Sequence, residues 1–406
     1  MSTSFAAPAA GHPYHALTWR LLAALGLSQL IAWGTLHYLI AVFAAAIAAE
    51  MHWSSARVQT GFALAMLVMA ASSYTVGRWI DERGGRLPLM SGCWIGALGC
   101  TVLAAVDSYP VYLSAWVLIG LGMRLALYDA VFATLAGIAG TAAQRAISVV
   151  TIMGGLASTV FWPLGQHLLE RFGWRGALLC YAGFLLACSL LHLAVPKVAR
   201  RPAQAGPATG AVASHPPTQP AVAWLYTYCA AGVVFLQTGM AAHFIELLRH
   251  AGWSAGDAVW LATLFGAGQF CGRATIALWA FRFNPVALNL VPAVLLVVSI
   301  ATYLGGGGLM AGATTFAFLY GLSNGTATYT RGAMPLVLFD PAKYGRTVGL
   351  MLKPALALSA VAPVAFGHGI DRWSAHGLAT GILVLALSLL AASAALYRLA
   401  PRPAVT

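Results

Sequence analysis

Apolar residues run along this chain in long blocks, broken by short clusters of glycine, proline and charge. Most blocks reach about 20 residues, the length an α-helix needs to cross a hydrocarbon layer. In the first half they predict helices over 17–49, 54–80, 87–106 and 111–139, then two more ending near Val195. In the second half they predict 221–248, 256–281 and 285–304, then a helix ending near Arg331. One carrying Lys353-Pro354 in its first turns follows, and a last one ends before Arg398. Ser54 has the chemistry of an N-cap for the second helix. Trp162-Pro163 predicts a kink in the fifth.

One stretch lacks any hydrophobic period. Residues 197–220 are rich in Pro, Ala, Gly and Ser and begin with Lys197, Arg200 and Arg201, the composition of a flexible linker. The expected organisation is therefore a cytoplasmic tail at 1–17, a helical half at 18–196, a cytoplasmic linker at 197–220, a second half at 221–397 and a tail at 398–406. The halves echo one another. His52-Trp53-Ser54-Ser55 corresponds to Gly252-Trp253-Ser254-Ala255, and Glu170-Arg171 to Asp371-Arg372, at a shared offset of half the chain.

Composition turns this pattern into a membrane reading. Of 406 residues, 60% are hydrophobic and 8% are charged, against about a quarter charged in a soluble domain. Such a chain cannot cover a water-facing surface. It has room for about twelve spans and no separate soluble domain. The net charge of +12 does not indicate nucleic acid, because the bases gather in alternate loops. That asymmetry puts both termini in the cytoplasm of a multi-pass cell (inner) membrane protein. The six cysteines all fall in apolar runs and no pair has metal-ligand spacing, so packing is expected and no metal or cofactor. There is no Walker loop or H-E-x-x-H, so an enzyme is not expected.

The densest charge lies in Gly77-Arg78-Trp79-Ile80-Asp81-Glu82-Arg83-Gly84-Gly85-Arg86, between the second and third helices. It resembles the helix 2–3 loop of the major facilitator superfamily, roughly G-x-x-x-D-R-x-G-R-R, with Gly77, Asp81, Gly84 and Arg86 in place. Glu82 and Gly85 depart from it, and Arg83 stands where a displaced base would. The resemblance implies an all-α membrane protein of twelve transmembrane helices, in two pseudo-symmetric halves of six. It also implies a monomeric functional unit and secondary transport by alternating access. Gly77, Asp81, Arg83, Gly84 and Arg86 are then a conformational switch loop. Asp81, with Arg83 or Arg86, would latch onto the start of helix 11 near Arg346.

Within that family two substrate classes compete. Gly120 and Gly122 match part of a helix 4 signature, but Trp116 occupies its arginine position, and the helix 5 signature of drug/proton antiporters is absent. Multidrug or small-molecule efflux by proton antiport is therefore the alternative. The first reading is a small organic anion, a mono- or dicarboxylate, because Arg273 and Lys353 resemble the helix 8 arginine and helix 11 lysine of the oxalate/formate antiporter and monocarboxylate transporter branch. Arg124 is a third cation at membrane depth, and Tyr329, Tyr38 and Trp33 would supply walls and hydroxyls. Two other readings stay open. Lys353 has the length to snorkel to the surface, and Gly272-Arg273 resembles a decayed second switch loop. Protons are a second candidate partner. Asp129, His243 and Glu246 are the coupling candidates, with Asp129 alternatively pairing a loop arginine and Glu246 alternatively closing a helix end with His243 and Arg249. Gln269 stands where monocarboxylate transporters tend to have an acid, which leaves exchange and uniport open.

Overall fold

The computed structural model describes residues 17–197, 219–279 and 283–400, and these are helical apart from short turns. Most of both expected tails and of the expected linker lies outside the described residues. The helices in order are α1 (Trp19–Ala32), α2 (Leu39–Met51), α3 (Ser55–Arg83), α4 (Arg86–Ala104), α5 (Tyr109–Ala126), α6 (Tyr128–Ala139), α7 (Ala143–Gly155) and α8 (Ala157–Leu191). Then come α9 (Pro220–His250), α10 (Ala255–Trp279), α11 (Pro285–Leu288), α12 (Leu290–Gly306), α13 (Met310–Ala333), α14 (Pro335–Leu338), α15 (Tyr344–Met351) and α16 (Lys353–Leu399).

Seven stretches among the described residues are long and apolar enough to cross a membrane. Those at Tyr109–Ala194 and Pro341–Leu399, 86 and 59 residues long, far exceed one crossing. The backbone reverses within them, at Gly173 (φ 65°, ψ 172°) in α8 and Ser374 (φ 65°, ψ 167°) in α16. With α10 and α13 added, these lengths are consistent with the expected twelve crossings.

The sequence echo has a backbone counterpart. His52 and Gly252 take positive φ at the ends of corresponding helices. Leu156 (φ −83°, ψ −5°) interrupts α7 and α8, and Leu352 (φ −84°, ψ −6°) interrupts α15 and α16. The expected kink at Pro163 is not where the chain breaks: dihedrals remain helical there, and the discontinuity precedes it at Leu156. Small Gly154, Gly155 and Ala157 flank that break, and Gly154 and Gly155 let side chains from other helices fill it.

Two apolar cores form, one around Phe43, Trp116 and Tyr181 and one around Phe244, Phe316 and Phe366. A third, containing Tyr128, Phe132, Tyr329 and Tyr344, draws on both halves and joins them. Ser54 caps α3 by accepting the Arg57 N–H at 3.2 Å, as expected. At the ends remote from the α3–α4 turn, Glu50 accepts from Arg175 Nε at 2.9 Å and from Trp174 Nε1 at 2.5 Å, tying α2 to α8.

Ser374 holds a conformation that costs a non-glycine residue about 1–3 kcal/mol, and its counterpart is Gly173. Its hydroxyl accepts the Gly377 N–H at 3.3 Å, a cap whose replacement by glycine costs a few tenths of a kcal/mol. Ser374→Gly should therefore stabilise the protein by about 1 kcal/mol, read as a higher melting temperature in detergent. Gly173→Ala should lower it.

Candidate functional site

The two halves meet most closely where α3 lies along α15. Gly77 faces Gly345 backbone to backbone, and a Cβ on either would overlap the other's carbonyl. One turn on, Gly349 rests against the Ser73 carbonyl. This small-residue stripe brings Asp81 to the start of α15. Its carboxylate accepts the Gly345 N–H and the Arg346 N–H, each at 2.8 Å. Those amides lie in the first turn of the helix, where N–H groups lack internal partners and the dipole favours negative charge. Arg346 Nε lies 3.9 Å from the same carboxylate. Asp81 therefore meets the helix start anticipated from sequence. Arg83 and Arg86 join no ion pair among the described residues. Gly84 ends α3 at φ 77°, and Gly85 is pressed against Thr134, which leaves no room for the base that the pattern has there.

Arg331 makes a second ionic contact across the halves. Its Nη1 lies 3.5 Å from Asp129 Oδ1, both side chains mostly buried. The expected pairing of Asp129 with a switch-loop arginine is thus replaced by an arginine from α13, the helix whose Gly332 packs against Phe132 of α6. Arg124 is buried in the same region. It donates from Nε to Ser73 Oγ at 3.0 Å and from Nη2 to the Ser73 carbonyl at 3.1 Å. Its electrostatic neighbours are Asp129, Tyr344 and Arg331, so it groups with this closed end and not with Arg273.

Arg273 and Lys353 also reach from the second half onto the first, but neither meets a carboxylate. Arg273 is 8% exposed and packs its guanidinium against Gly155, where a Cβ would overlap Nη1. Its Nε has no hydrogen-bond partner. Tyr38 and Tyr128 lie within its electrostatic range. Lys353 Nζ stands 5.9 Å from the centroid of the Tyr74 ring on α3, a cation–π contact. No ion pair among the described residues includes either cation.

Aromatic rings surround the Arg273 side of this arrangement. A π-helical turn at Trp33–His37 separates α1 from α2 and turns several large side chains inward. Trp33 contacts Tyr128 at 5.0 Å and Tyr38 at 6.2 Å between centroids. Tyr38 contacts Trp162 at 6.0 Å. The indole N–H of Trp33 and the hydroxyl of Tyr329 are buried without partners. One turn beyond Tyr38 lies an open cleft lined by Ala41, Ser158, Trp162 and Gln166. A separate cavity inside the second half is lined by Gln237, Asn289, Asn324 and Ser393. Those groups bond to one another, as in Gln237 to Asn324 at 2.8 Å and Asn289 to Ser393 at 2.9 Å, so they serve as glue between helices.

His243 and Glu246 form a pair near the far end of α9, with Nδ1 to Oε2 at 2.7 Å. His243 Nε2 lies 2.8 Å from the Pro363 carbonyl on α16. The ring thus faces two oxygens, the Glu246 carboxylate and the Pro363 carbonyl. Arg249 takes no part in an ion pair among the described residues.

The partners Arg331, Gly155, Tyr128 and Gly345 were missed by reading the sequence. A clue existed for the glycines, since Gly155 adjoins the break at Leu156 and Gly345 lies in the first turn of α15, but their contacts are remote in sequence.

With this geometry in view, the comparisons decide the family. The profile of the Major Facilitator Superfamily matches residues 25–360. The chain belongs to the Major Facilitator Superfamily. It is 26% identical over 212 residues to monocarboxylate transporter 6 of Mus musculus, covering 47% of this chain and 45% of that one. It is 32% identical over 161 residues to the oxalate:formate antiporter of Oxalobacter formigenes, covering 38% and 36%. The matches thus span less than half the length of these curated relatives. Among solved structures, the human organic anion transporter MFSD10 superposes with a TM-score of 0.72 at 16% identity, covering 92% of this chain and 99% of that one. The proton:xylose symporter XylE gives 0.73 at 11%, covering 94% and 96%. This superfamily member accordingly has the facilitator fold, with several stretches long and apolar enough to cross a membrane.

Asp81→Asn should weaken the closed end of the transporter. Losing the charge at the α15 start removes about 1–2 kcal/mol, roughly a tenfold shift in population. Spin labels at exposed Glu82 and Lys343 would report it as a longer distance distribution. An unchanged distribution would count against the latch.

Proposed function

We propose that this transporter is a secondary carrier of small organic anions, mono- or dicarboxylates, by alternating access in the cell (inner) membrane. One observation carries the reading. Four cations of the second half lean on the first; Arg331 and Arg346 find aspartates there, whereas Arg273 and Lys353 find a glycine and an aromatic face. A buried cation without a counter-ion is costly, and a substrate carboxylate arriving from outside offsets that cost. Arginine can bind it through two parallel hydrogen bonds, while lysine acts as a compact charge. Trp33 and Tyr329 have unpaired hydrogen-bonding groups in or against the shared core, and Tyr38 lies within the electrostatic range of Arg273. The names of the sequence relatives, monocarboxylate transporters and an oxalate:formate antiporter, support the same class.

With both termini in the cytoplasm, the Asp81 contact closes the cytoplasmic end and the conformation is outward-facing. Proton-coupled efflux is the weaker reading. Asp129 is engaged by Arg331, and the His243–Glu246 pair lies toward the far end. That pair is nevertheless the place in this chain where a coupling proton would be held.

The test is binding and counterflow with purified protein in liposomes, over a panel of small carboxylates and size-matched neutral compounds. Arg273→Gln and Lys353→Gln should each weaken carboxylate binding at least about tenfold, since a hydrogen bond to a charged group contributes about 1.5–3 kcal/mol. Wild-type affinity in both variants, or a neutral or cationic native substrate, would overturn the reading.

A further inference from the structure

We propose that Cys93, Cys188 and His192 form a buried zinc site in the first half of the protein, apart from the transport path. Cys188 and His192 are four residues apart at the end of α8, so they share one helical face. Cys93 comes from the facing helix α4. All three are buried, and their ligand atoms lie within 4.8 Å of one another. Cys93 Sγ stands 3.9 Å from His192 Nδ1. Cys188 Sγ otherwise reaches only the Ser28 carbonyl of α1, at 3.8 Å.

Two features separate this cluster from ordinary packing. His192 is 1% exposed, yet its Nε2 has no hydrogen-bond partner. Burial with Nε2 unpaired disfavours the charged ring and leaves the neutral imidazole that a metal ligand must be. The spacing also suits the ion. Bonds of about 2.3 Å to sulfur and 2.0–2.1 Å to nitrogen put tetrahedral ligand atoms roughly 3.5–3.8 Å apart. Cys93 Sγ and His192 Nδ1 are already close to that separation, and no pair needs to contract by more than about 1.3 Å.

Charge selects among soft ions. Zinc(II) with two thiolates and a neutral imidazole is neutral overall, the only net charge a lipid-embedded core holds cheaply. A monovalent soft ion with the same ligands would leave a buried negative charge. The site would clamp α4 to α8 beside α1, on the side of the first half away from Arg273 and Lys353. The spacing along the chain conceals it because one ligand comes from a distant helix.

The experiment is elemental analysis of the full-length, tag-free protein purified in detergent without chelator. About one zinc per chain is expected in wild type and in Cys271→Ser, whose thiol is exposed. Near zero is expected in Cys188→Ser and His192→Ala. Should those variants misfold, the wild type still decides. Chelated, reduced protein titrated with cobalt(II) should develop a thiolate-to-cobalt charge-transfer band in the near ultraviolet at one equivalent, reversed by zinc. Absence of zinc as purified together with absence of that band overturns the proposal, and so does a Cys93–Cys188 disulfide found by mass spectrometry.

Discussion

The carboxylate of Asp81 on the first-turn amides of α15 is the contact on which the observed arrangement rests. Helix amides at that position have no partner within the helix, and a low-dielectric setting makes an unpaired one expensive. A single acid therefore satisfies two donors and complements the helix dipole at once. It can do so only because Gly77, Gly345 and Gly349 allow the backbones of α3 and α15 to touch. Close packing and charge thus act together at that end. Arg124, anchored on Ser73 of the same helix, extends the contact toward α5.

From that closed end, the cations sort themselves by what the first half offers. Arg346 and Arg331 meet aspartates near one end of the bundle. Deeper in, Arg273 and Lys353 meet Gly155 and the Tyr74 ring. The two environments differ in what motion costs. Separating a paired cation exposes an acid as well, whereas an unpaired cation stands ready for an anion. An organic-anion carrier built this way would use the same surface for gating at one level and for binding at the next.

The breaks in the helices make these placements possible. Leu156 and Leu352 interrupt equivalent helices, leaving Gly155 facing Arg273 and turning Lys353 onto α3. The π-helical turn at Trp33–His37 does the same for the aromatic wall. Irregular backbone at membrane depth is tolerated where protein or a water-filled cavity, and not lipid, surrounds it.

How much of this was legible in the sequence follows from the range of each interaction. Hydrophobic blocks, glycine-rich turns and the half-chain echo are local or periodic, so the helical membrane fold, the Ser54 cap and the switch loop could be read directly. Asp81 was legible from the loop motif, while its target near Arg346 came only from the family resemblance, since the two are 264 and 265 residues apart. Partners set by remote packing were not. Nothing near Asp129 names Arg331, Pro163 drew attention from the break at Leu156, and Arg124 looked like a partner for Arg273 until its bonds to Ser73 were seen. Cys93 joins Cys188 and His192 only through the packing of α4 on α8. The chain alone determined which residues cannot rest in hydrocarbon. The tertiary structure decided which of them satisfy one another, since in a medium that offers no hydrogen bonds every polar group is defined by the neighbour the fold brings to it.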